Sequence, residues 1–248
     1  MADPITEQFR AANAGLSKLV RDELEGFFGT LNLAKPEAVR NALLEFVPLL
    51  VSEYGSVAET LALDYYDELR AASGATGVFR AIAGADGIPG SAVEAKIRYL
   101  AKQLWTPDPA SMLGGLLTAT DKYVKQPGRD AISYNAKREG ARWARVPTGA
   151  KTCSWCLVLA SRDAVYLSKQ SAGDRRGTGK GDAFHGDCNC AVVRIGKASD
   201  YPPGYLPDDY LAMYEAARAD AASGDIKDIS AAFRRLHPDA VTDAVHTH

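Results

Sequence analysis

All four cysteines fall between residues 153 and 190, as Cys153-Ser154-Trp155-Cys156 and then His185-Gly186-Asp187-Cys188-Asn189-Cys190. A C-x2-C turn offers two thiolates to one tetrahedral ion and leaves two positions for a distant second pair. The spacing therefore predicts a structural zinc site drawn from Cys153, Cys156, His185, Cys188 and Cys190. Five candidates compete for four positions. The expected set is Cys153, Cys156 and His185 with one of the last two cysteines, Cys190 preferred. Structural zinc contributes about 10–16 kcal/mol at neutral pH to a unit that cannot bury enough surface alone. The competing readings are reduced, half-buried thiols, disulfides formed on oxidation, and a reactive pair or cysteine nucleophile. A thioredoxin-like pair would have to open a helix after a strand in a βαβ unit, a context the pattern of 147–196 does not predict.

Other chemistry finds few residues to carry it. A zinc deaminase needs H-x-E ahead of P-C-x2-C, whereas here the C-x2-C comes first and no glutamate follows His185. No H-E-x-x-H occurs either. The chain has four histidines, of which His237 is the one plausible general base, and no serine sits in a G-x-S-x-G elbow. The loop Gly173–Gly181 resembles a phosphate cradle but has Gly181 where a P-loop needs Ser or Thr. No catalytic residue is assigned.

The net charge of −2 conceals an uneven distribution. Residues 122–151 hold eight Lys or Arg against two acids, and residues 162–197 seven against four, so the centre carries +9 while both ends are acidic. A helix predicted over 129–145 would align Arg138, Arg142 and Arg145 on one face. Together with Arg175, Arg176 and Lys180 of the glycine-rich loop, that face forms a candidate surface for phosphates or an acidic protein.

These residues need elements to position them, and helical periodicity dominates. Apolar steps of three and four predict helices over 4–31, over 36–72 with a kink at Pro48 and a break near Gly55, and over 91–105. A further helix runs from Asp108-Pro109 to Gln126-Pro127-Gly128, followed by the basic helix 129–145. Short β-type runs follow, including Ala191–Ile195, then an extended linker YPPGYLPDDY and acidic helices over 208–222 and 226–236. The fold class is mainly α: a helical N-terminal region (1–105), a helical basic arm (106–146), a small zinc-binding α+β module (147–196) and an acidic helical tail (197–248). The 46% hydrophobic and 24% charged composition excludes collagenous and disordered classes. Neither a secretory leader nor an apolar run of about 18 residues is seen, so a chain with no membrane partner is expected.

The stretch RVPTGAKTCSWCLVLASRDAVYLS…FHGDCNCAVV resembles the C-terminal signature of Mu F-like minor head proteins of tailed bacteriophages, with Cys153, Cys156, His185, Cys188 and Cys190 at its marked positions. The N-terminal ALLEFVPLLVSEYGSVAETLALDYYDELRAAS is similar to a compact actinobacteriophage head-protein family encoded beside the portal. The resemblance implies a structural minor capsid protein found in the phage head interior, and in the host cytoplasm during assembly. Its implied partners are the portal protein, the major capsid or scaffolding protein, and packaged DNA. Relatives are often labelled capsid maturation proteases, which makes cleavage of the major capsid precursor the rival function. A nucleic-acid-binding regulator is the second alternative.

Overall fold

The computed structural model describes residues 4–84, 88–147, 152–162, 190–197 and 200–241. Helix α1 (Pro4–Gly29) buries Leu16, Val20, Leu24 and Phe28 at four-residue steps, as its periodicity predicts. It lies on α2 (Pro36–Ala72), which is one unbroken helix through Pro48 and Gly55. The predicted break is thus corrected. Pro48 removes one backbone hydrogen bond, but the turns on either side are held by buried Val47, Leu50, Val51, Ala58 and Ala62.

Helix α3 (Gly90–Leu100) tightens into a 3-10 turn, Ala101–Trp105, and a second 3-10 turn, Pro109–Ser111, leads into α4 (Met112–Glu139). Helix α4 passes straight through Gln126-Pro127-Gly128, where the sequence predicts a stop. The reason lies in its packing on α2. A Cβ added at Gly128 would stand 2.7 Å from the Ala58 carbonyl oxygen and 3.3 Å from the Ala62 Cβ. One at Gly55 would meet Pro127 Cγ at 3.4 Å. The apparent breakers are the point where two helices touch nearly backbone to backbone. By length and composition α2 could cross a membrane, with a window of mean hydropathy 1.2. Here it is a central helix, packed against α1, α3 and α4.

Helix α4 stops at Gly140, whose φ of 77° is left-handed, and the Ala141 N–H donates to the Ala136 carbonyl at 2.9 Å. From Arg142 the chain is extended. The predicted helix over 129–145 is therefore corrected: its first half ends α4 and its second half is strand β1 (Arg142–Pro147). Strand β1 pairs antiparallel with β2 (Cys190–Ile195), from Arg142 opposite Ile195 to Pro147 opposite Cys190. The short helix α5 (Ser154–Ala160) packs on β1, and the terminal pair α6 (Pro207–Ala221) and α7 (Ile226–Leu236) pack on α5 and on each other. The expected linker 201–210 also packs: Tyr205 is buried and its hydroxyl donates to the Ala160 carbonyl at 2.9 Å.

Apolar packing crosses the boundaries drawn at 105 and 146. One cluster joins Ala62, Tyr65 and Tyr66 of α2 and Ile132 of α4 to Trp143, Cys156, Cys190 and Val192. A second joins Ala144, Val146, Val193 and Ile195 to Ala160 and Tyr205. The ribbon is thus buried on both faces, which explains why apolar residues occupy consecutive positions in both strands, Trp143-Ala144 in β1 and Ala191-Val192-Val193 in β2.

Candidate functional site

Alternation along the strands decides what faces what. Trp143, Arg145, Val192, Arg194 and Cys190 share the face toward α2 and α4, while Ala144, Val146, Val193 and Ile195 face Tyr205. Pairing Pro147 with Cys190 brings the far end of the cysteine-rich stretch back beside its beginning. Cys153 caps the N-terminus of α5, its Sγ accepting the Cys156 N–H at 3.2 Å. Cys156 and Cys190 are buried and Cys153 is half-buried.

Among the described residues, no three His, Cys, Asp or Glu side chains gather as a metal-binding group, so Cys153, Cys156 and Cys190 do not make one by themselves. His185 and Cys188 lie outside the described residues, as do Arg175, Arg176 and Lys180 of the glycine-rich loop. The C-x2-C pair opens helix α5 after strand β1, but β1 and β2 run antiparallel and form no parallel βαβ unit among the described residues.

The basic face is divided by the helix-to-strand change. Arg138 and Arg142 are exposed. The Arg138 guanidinium lies 4.8 Å from the Phe79 ring centroid and donates to Asn135 Oδ1. Arg145 is 0% exposed and cannot contribute to a surface. In a helix it would have followed Arg138 and Arg142. In a strand it points inward beside Trp143.

The sequence reading missed a group of buried charges at the joint of α2, α4 and β2. Glu139 accepts Arg194 Nε and Nη2, each at 2.6 Å, Arg70 Nε at 3.0 Å and the Tyr66 hydroxyl at 2.6 Å. Arg194 Nη1 donates to Asp200 Oδ2 at 3.2 Å, and that carboxylate also accepts the Gly196 N–H at 2.9 Å. Burial pushes the Glu139 carboxyl up, but the hydrogen bonds from Arg194 and Tyr66 and the two guanidinium charges outweigh it and hold the group below the usual carboxylate range. Burial and the bond to Glu139 push the Tyr66 hydroxyl well above the ordinary phenol range. The signal was present as a charge in the middle of the apolar run Ala191–Ile195, because such a charge requires a partner.

His237 closes α7, with its ring 6.1 Å from that of Phe233, and its Nε2 is buried with no hydrogen-bond partner among the described residues.

Set beside known proteins, residues 2–217 match the model of the VG15 protein family. The gene 15 protein of Mycobacterium phage D29 is 29% identical over 141 residues, covering 46% of this chain and 51% of that protein. The gene 15 protein of Mycobacterium phage L5 is 36% identical over 78 residues, 26% of each chain. The chain thus matches about half the length of the first relative and about a quarter of the second. No solved structure matches.

Proposed function

The chain belongs to the VG15 protein family, with relatives encoded by mycobacteriophages, and from that premise we propose that it is a structural minor head protein of a tailed phage, Mu F-like in its cysteine module and associated with the portal vertex. The observation that carries this reading is the β1–β2 pairing, which makes one compact unit of the two ends of the Mu F-like signature. The unit is welded to α2 and α4 through Trp143, Cys156 and Val192. It is thus suited to hold the C-terminal helices on a rigid helical body. The protein resides in the head interior, and in the host cytoplasm during assembly, where portal, major capsid or scaffolding protein and packaged DNA are its neighbours.

Zinc belongs to the same proposal. Cys153 and Cys156 supply two of its ligands, placed at the N-terminus and in the first turn of α5. His185 and one of Cys190 and Cys188, Cys190 preferred, supply the remaining donors. Bound zinc would act as a cross-link holding residues 153–156 to the segment before β2.

Co-expression with the portal and the capsid precursor tests the function. The expected result is recovery of the chain on the portal with the capsid precursor intact. Cleavage of the precursor that disappears in His237→Ala would establish the protease instead. Absence of the chain from both portal and purified heads would refute the head assignment.

A further inference from the structure

The basic residues of the N-terminal helices mostly face their own carboxylates. Arg10 pairs with Glu7, Lys18 with Asp22, Arg21 with Glu25 and Arg98 with Glu94. Such pairs leave little uncompensated charge for a partner. One face departs from this rule. Lys96 and Lys102 each place their ammonium 5.3 Å from the ring centroid of Tyr99, and the Arg40 guanidinium lies 5.8 Å from that of Trp105. No carboxylate stands within 4 Å of these three cations among the described residues. The two rings remain 60% and 50% exposed.

The sequence of the face is Lys96-x2-Tyr99-x2-Lys102-x2-Trp105, alternating cation and aromatic ring at three-residue steps. In an α-helix such a series drifts around the axis, but here α3 gives way to the 3-10 turn Ala101–Trp105. With three residues per turn, positions 102 and 105 eclipse. The change of helix type therefore keeps the four side chains in one ridge, and α2 brings Arg40 to its end.

We propose that this ridge binds nucleic acid with accessible bases, single-stranded DNA being the chosen occupant. The cations are taken up by successive phosphates and the rings by bases. Charge complementarity selects a polyanion, since the ridge carries three cations without carboxylate partners on a chain whose first hundred residues are net acidic. The exposed rings select among polyanions. An acidic peptide offers nothing flat to stack, and a duplex keeps its base faces covered, whereas every unpaired base presents a π-face. A lysine ammonium on a flexible stem can leave a ring for a phosphate and free the ring face for a base. The proposal rests on the ridge's own residues and not on the head-interior reading.

The test is fluorescence anisotropy on the full-length chain with a labelled single strand, the corresponding duplex and poly-glutamate. The single strand is expected to bind most tightly. Tyr99→Ala or Trp105→Ala should weaken it roughly tenfold, while Tyr99→Phe, which keeps a ring, binds as the parent does. Lys96→Gln and Lys102→Gln should each lower the salt slope by about 0.7. Far-UV circular dichroism of each variant should match the parent, since all four residues project from the surface. No binding at low salt, equal binding of poly-glutamate, or duplex binding as tight and insensitive to Tyr99→Ala would overturn the proposal. Recovery of the same variants on the portal is scored separately, so loss of DNA binding with retained portal association refutes the ridge and leaves the head assignment standing.

Discussion

Arg194 grips Glu139 with two parallel hydrogen bonds, Nε to Oε2 and Nη2 to Oε1, both 2.6 Å long and almost shielded from solvent. The pair joins the last turn of α4 to the penultimate residue of β2. Removing one partner of a buried ion pair leaves the other charge uncompensated and costs about 3–5 kcal/mol. Glu139→Gln should therefore lower the unfolding free energy by about 3 kcal/mol in urea titration, and an effect below about 1 kcal/mol would mean that the joint is not stabilising.

The same carboxylate sets a pH dependence. Its value in the folded chain lies below the ordinary 4.5. Its stabilising contribution is therefore complete above that ordinary value and is lost as pH falls through the lowered one. Melting temperatures followed downward from neutral pH should drop more steeply through the acidic range for the parent than for Glu139→Gln. Parallel curves would contradict the assignment.

Two glycines of α4 should respond to the same substitution with opposite sign. Gly128→Ala drives a methyl against the Ala58 carbonyl and should destabilise by about 1–3 kcal/mol. Gly114→Ala meets nothing within 4 Å and should stabilise by up to about 1 kcal/mol through helix propensity. Thermal denaturation of the two variants checks the contrast.

Arg142 and Arg145, three residues apart in β1, point to opposite faces of the strand. Arg145→Ala empties a site that no solvent reaches and should destabilise by about 3 kcal/mol. Arg142→Ala, at the exposed start of the strand, should change stability by no more than about 0.5 kcal/mol. If Arg145→Ala unfolds like the parent, the inward face of β1 is wrongly assigned.

For the cysteine module, protein purified without chelator should carry about one zinc per chain by metal analysis. Cys153→Ser and Cys156→Ser should each abolish it, and chelation should loosen 147–196 while the N-terminal helices stay intact by hydrogen exchange. A metal-free chain that is equally ordered throughout would refute the zinc proposal.

Much of the helical layout was legible because amphipathic stripes and caps are local. The Leu16, Val20, Leu24 and Phe28 stripe and the helix over 226–236, found as Ile226–Leu236, are instances. What failed was decided by remote partners. Gly55, Pro127 and Gly128 read as breakers since propensity sees one chain segment, whereas their role is the approach of α2 to α4. Gly140 was the one local sign that the basic helix stops, and the Arg-Trp-Ala-Arg-Val run after it fits a strand as well as a helix. At the site, cysteine spacing showed which residues could act together but not which are buried. Summing charge over the first hundred residues hid the Lys96–Trp105 ridge, whose three-residue step was visible in the letters.

Forty-two residues separate Pro147 from Cys190, so β1 is synthesised long before its only strand partner among the described residues. Until β2 arrives, a nascent chain presents one open strand edge bearing Trp143 and Val146, and an open apolar edge recruits strands from other molecules. The same would hold for any chain ending before residue 190. The strand that pairs this edge of β1 is thus supplied by the last quarter of the sequence.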